Sequence, residues 1–129
     1  MFQFLTPHHR KTLGTILILP VLFSTTACAT LHQIHPGALN PTDSAAYDAL
    51  LIAGATIDQA RLALQAGNLP ESIRPALNTL IRSYNVARES WLSYRGAIGT
   101  NIPIQPYFDQ LNKNLADLSA ALKQFEEDQ

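Results

Sequence analysis

The stretch IQPYFDQLNKNLADLSAALKQF, residues 104–125, decides the fold. Its apolar positions Ile104, Phe108, Leu111, Leu115, Leu118, Leu122 and Phe125 alternate spacings of four and three without a break. That rhythm keeps one face of an α-helix apolar and predicts an amphipathic helix over about residues 104–126. Asp109, Lys113 and Asp117 fall at i, i+4 spacing on the outer side, where they can pair in sequence. Pro103 or Pro106 marks the start, and Glu126, Glu127 and Asp128 oppose the helix dipole, which predicts a loose last turn. A single apolar stripe needs other elements to cover it. The chain upstream supplies two.

Asn40-Pro41 marks the start of a first helix, about residues 41–66, with Asn as N-cap, Pro at N1 and Asp43 adding negative charge to the first turn. Tyr47, Leu50, Gly54, Ile57, Ala60 and Leu64 follow the same rhythm, Leu51 and Leu62 widen the stripe, and Gly67 supplies an αL stop. Within Ala53-Gly54-Ala55 the glycine costs about 1 kcal/mol relative to Ala, which points to close approach of a neighbouring helix or to a ligand crevice. A second helix, about residues 72–95, takes Ser72 as N-cap with Pro75 in its first turn and ends at Gly96. Its stripe is Leu77, Leu80, Ile81, Tyr84, Ala87, Trp91 and Tyr94. Leu77, Tyr84 and Trp91 stack at heptad spacing; such rings bury large apolar areas while their polar tips find a partner or water. The competing reading is a pocket at Gly54, Tyr84 and Trp91.

Helices of this length joined by short loops pack antiparallel, so residues 41–129 read as an all-α, three-helix up-down-up bundle. The second helix carries Arg74, Arg82, Arg88 and Arg95, while the first and third carry Asp43, Asp48, Asp58, Asp109 and Asp117. Complementary flanks of this kind help to set helix pairing, or are simply solvated faces.

The N-terminal 28 residues have a different grammar. Arg10 and Lys11 precede the apolar stretch Leu13–Phe23, and Thr25-Thr26-Ala27 runs into Cys28, the one cysteine of the chain. A positive n-region, an apolar h-region and small residues before a cleavage point make a secretory signal. The segment Leu22–Cys28 resembles the lipobox of bacterial lipoproteins, with Thr25 where most lipoboxes have Leu. The resemblance implies removal of residues 1–27, triacylation of Cys28 and a stable membrane anchor. Ala29 is not the Asp associated with inner-membrane retention, which implies the periplasmic face of the outer membrane in a diderm host. Ala27-Cys28-Ala29 is also an A-x-A site, so cleavage after Ala29 and simple secretion is the alternative. A lone exported thiol favours lipidation, which consumes it. The apolar run falls well short of the ~20 residues that span a bilayer.

Cleavage before Cys28 would leave 102 of the 129 residues, one domain, with seven basic residues facing ten acidic ones. This mildly acidic surface gives no electrostatic case for nucleic acid or for gripping anionic lipid. Hydrophobic residues make up 47% of the chain and charged residues 15%, a globular rather than disordered balance. Residues 28–40 read as the lipidated Cys and a flexible tether, broken by His35-Pro36-Gly37. His32 and His35 form an i, i+3 pair, too few ligands for a metal site, and no cofactor is expected. No histidine follows residue 35 and no phosphate-cradling loop is present, so no enzyme is expected. The connection Gly96–Pro106 carries Ile98, Ile102 and Ile104, either a plug over the bundle end or a contact patch. These features imply a membrane-tethered envelope lipoprotein acting on an envelope protein partner, with self-association through the third helix also open.

Overall fold

Asn40 has extended backbone (φ −164°, ψ 175°), and its Oδ1 accepts the Asp43 N–H at 2.9 Å. This cap starts α1 (Pro41–Gln65), with Pro41 placed where its missing N–H costs nothing. The computed structural model describes residues 34–129; the signal-like segment, Cys28 and His32 lie outside the described residues. At the other end Gly67 takes φ +74°. The N–H groups of Gly67 and Asn68 then donate to Leu64 O at 3.1 Å and Ala63 O at 2.8 Å, a Schellman closure that satisfies the last carbonyls.

Ser72 is not the cap of the second helix. The chain is already turning as a 3-10 segment over Glu71–Ile73 and passes straight into α2 (Arg74–Ile98), where Ile73 precedes the first turn without a side-chain cap. Burial of Ile73 fixes this lead-in instead. The exposed Arg74 guanidinium forms a two-pronged pair with Glu71, holding that carboxyl below the usual carboxylate range. α2 continues through Gly96 to Ile98, because Ala97 is buried and Ile98 packs on the adjoining core. Pro106 stands in the first turn of α3 (Gln105–Glu127).

Helices are the only regular elements among the described residues, and α2 packs on both of the others while α1 and α3 touch little. Tyr84 lies against Gly54 and Trp91 against Asp43, so contacts on α2 descend as those on α1 ascend. Ser90 meets Asn114 and Tyr94 meets Phe108, the same relation between α2 and α3. The main core joins Leu50, Ile57, Ile73, Leu77, Leu80, Leu118 and Phe125; a smaller cluster holds Ala46, Tyr94 and Leu111. α3 buries Leu111, Leu118 and Phe125 at heptad spacing, with Leu115 and Leu122 half-buried. Its last turn is held rather than loose, since Phe125 is fully buried while Glu126 and Glu127 point to solvent.

On α1 the buried face alternates Ala46, Ala53 and Ala60 with Leu50 and Ile57, so small and large side chains interleave along it. Leu51 and Leu62 do not widen it; both fall beside the buried face and are exposed. Between α2 and α3, Asn114 donates to Ser90 Oγ at 3.1 Å and accepts from Gln110 at 2.9 Å. A paired polar network of this kind pins register between two helices. No helix among the described residues is long and apolar enough to cross a membrane.

Candidate functional site

Asp43 is where the chain's polar groups converge. Its side chain is 0% exposed, three residues beyond the α1 cap. Oδ1 accepts the Trp91 indole N–H at 2.6 Å, and Oδ2 accepts the Leu39 N–H at 2.8 Å and faces Arg95 Nη1 at 3.2 Å. The Arg95 guanidinium lies 5.1 Å from the Trp91 ring centre and also donates to Gly37 O at 3.3 Å. Asn40 donates to the Tyr94 hydroxyl at 3.0 Å, and the His35 N–H donates to Ser44 Oγ at 2.7 Å. The His35 and Tyr47 rings stand 4.2 Å apart, with Trp91 6.0 Å beyond Tyr47.

Residues 35–40, expected within a flexible tether, are therefore a hydrogen-bonded collar around the start of α1. The reason is Asp43: a buried carboxylate needs several donors, and the backbone just before the helix supplies one. With its oxygens taken by an indole, a guanidinium and an amide, Asp43 is a structural tie and not a base open to a substrate.

Two openings lie beside Tyr84, both lined by side chains of α1 and α2. A pocket of about 130 Å³ is lined by Tyr47, Leu50, Leu51, Tyr84, Arg88 and Trp91. Gly54 belongs to the other, a cleft of about 270 Å³ shared with Ile57, Asp58, Arg61, Ile81, Tyr84 and Asn85. The expected grouping of Gly54, Tyr84 and Trp91 is thus divided by the Tyr84 ring. Leu50 is core, as its spacing predicts, and also faces the pocket, while the half-buried Tyr47 and the exposed Arg88, a flank charge by sequence, complete the lining. Arg88 was findable: it follows Tyr84 by four residues and precedes Trp91 by three, hence the same helix face.

A Cβ on Gly54 would meet Tyr84 ring atoms at 3.6 Å, an ordinary contact. Close helix approach does not demand this glycine. Gly54→Ala is expected to raise stability by about 0.5–1 kcal/mol through helix propensity and a less flexible unfolded chain, measured by urea denaturation. Net destabilisation would show that Tyr84 cannot accommodate the methyl group.

The isoleucines expected in the connection between α2 and α3 divide as well, Ile98 being the last residue of α2. Ile98 packs on the Tyr94–Leu111 cluster, whereas Ile102 and Ile104 are exposed. A further cleft of about 160 Å³ opens between α1 and α3, lined by Ala49, Ile52, Leu115, Leu118, Ser119 and Leu122. No charged residue lines it, and Ile52 is 60% exposed. His32 is outside the described residues, and among those described no group of three His, Cys, Asp or Glu could hold a metal ion.

No known relative was found. The chain matches no protein-family model, no curated protein and no solved structure.

Proposed function

We propose that this protein is a non-catalytic lipoprotein of the bacterial cell envelope, tethered through Cys28, whose helices form an up-down-up bundle that works by protein contact. The observation that carries the contact reading is the uncharged apolar cleft between α1 and α3, with Ile52 exposed beside the half-buried Leu115 and Leu122. A cleft between two helices suits the apolar face of an amphipathic partner helix. The lipobox-like Thr25-Thr26-Ala27-Cys28 supports the tether. In this arrangement the connection with Ile102 and Ile104 stands at the tether end, towards the lipid.

Intact mass and membrane fractionation of wild type, Cys28→Ala and Ile52→Glu test the two halves separately. The expected wild type begins at Cys28, carries acyl mass and sediments with membranes; Cys28→Ala becomes soluble. Ile52→Glu is expected to keep its membrane fraction and helicity but to lose crosslinks to an envelope protein, because a charge in an apolar contact must be desolvated. A soluble wild-type chain beginning at Thr30 would sink the tether, and crosslinks unchanged by Ile52→Glu would sink the contact face. Crosslinks between copies of this chain alone would replace the partner with self-association.

A further inference from the structure

We infer that the pocket between α1 and α2 binds a small organic acid, its ring or branched apolar body held by the aromatic walls and its carboxylate by Arg88. The site is separate from the α1–α3 cleft and stands whether or not that cleft takes a partner. Tyr47, Tyr84 and Trp91 supply three ring walls, and Leu50 and Leu51 complete an apolar lining. A volume of about 130 Å³ matches one such group, since a cavity of about 150 Å³ takes benzene.

The back wall is set before any ligand arrives. Trp91 is held by its indole N–H on Asp43 Oδ1 at 2.6 Å and by Arg95 over its ring at 5.1 Å. A pre-formed wall removes an ordering cost from binding. Trp91 has one polar hydrogen, and Asp43 takes it, so the pocket meets only the apolar body of the indole. Leu51, at the pocket edge, is 59% exposed and has no place in the core.

Arg88 sets the ligand class. It is exposed and, among the described residues, forms no hydrogen bond or ion pair, while Arg95 on the same helix is already committed to Asp43. A free guanidinium beside an apolar recess matches a carboxylate in two-pronged geometry. An uncharged ring compound would use the walls and leave that charge unused.

The chain has a single tryptophan, so its fluorescence reports on this pocket. Full-length protein is titrated with 3-phenylpropionate and, in parallel, with its neutral amide. The acid is expected to saturate with a dissociation constant of about 1 mM, in keeping with a small ligand of this size. The amide is expected to bind about tenfold more weakly, and Arg88→Gln to bring the acid down to the level of the amide. Leu51→Asp, at an exposed position that folding does not use, is expected to abolish the response to the acid. No saturable change up to about 20 mM, equal binding of acid and amide, or a response indifferent to both substitutions would overturn the assignment.

Discussion

Asp43→Ala is expected to destabilise the protein by about 3 kcal/mol, which for a domain of this size is a large part of the total. The substitution removes the shared acceptor of Trp91, Leu39 and Arg95 in one step. Removing one member of a buried ion pair costs about 3–5 kcal/mol, mainly because the remaining partner is stranded. Arg95 is 33% exposed and can turn back to water, which sets the expectation at the lower end. The Trp91 indole N–H cannot escape so easily, and the collar loses the bond from Leu39. Urea denaturation measures the loss, and the emission of Trp91 should shift as its hydrogen bond disappears. Asp43→Asn keeps the shape and one acceptor, so it should fall between alanine and wild type. A loss below about 1 kcal/mol for Asp43→Ala would mean that the tie is replaced by water without consequence.

Phe125→Ala is expected to cost about 3–5 kcal/mol, the range for emptying a fully buried ring site. Phe125 is 0% exposed and belongs to the main core, two residues before the end of α3. Its effect should be read in two places. Chemical denaturation gives the global loss, and amide exchange over residues 119–127 should speed up well beyond the rest of α3. Retention of exchange protection there would show that helix propensity, rather than the ring, holds the last turn.

Much of the helical pattern was legible because it is local. Asn40-Pro41 at one end of α1 and Gly67 at the other act through neighbours within four residues, and both operate as their chemistry requires. The stripe of α3 was readable for the same reason, apart from Ile104, which precedes the helix and stays exposed. The misreadings are positions where a distant contact decides. Leu51 and Leu62 satisfy the spacing of α1, but only the placement of α2 says which edge of the stripe is covered. Ser72 has the right chemistry for a cap, yet burial of Ile73 wins. Asp43 read as a first-turn charge beside a helix dipole. Its actual partners, Trp91 and Arg95, lie 48 and 52 residues away and leave no trace in local sequence. The candidate pocket was half legible: Tyr84 and Trp91 stand out on α2, whereas Tyr47, Leu50 and Leu51 join them only once α1 is in place.

The collar also decides how the domain meets mechanical load. Any tension drawn through the chain before Ile34 reaches residues 35–40 first, and four bonds there tie them to the helices: His35 to Ser44, Gly37 to Arg95, Leu39 to Asp43 and Asn40 to Tyr94. Two of them end on the first turn of α1 and two on α2, so the pull is met by two helices. A tug from the N-terminal side therefore meets this short strap before it meets the core.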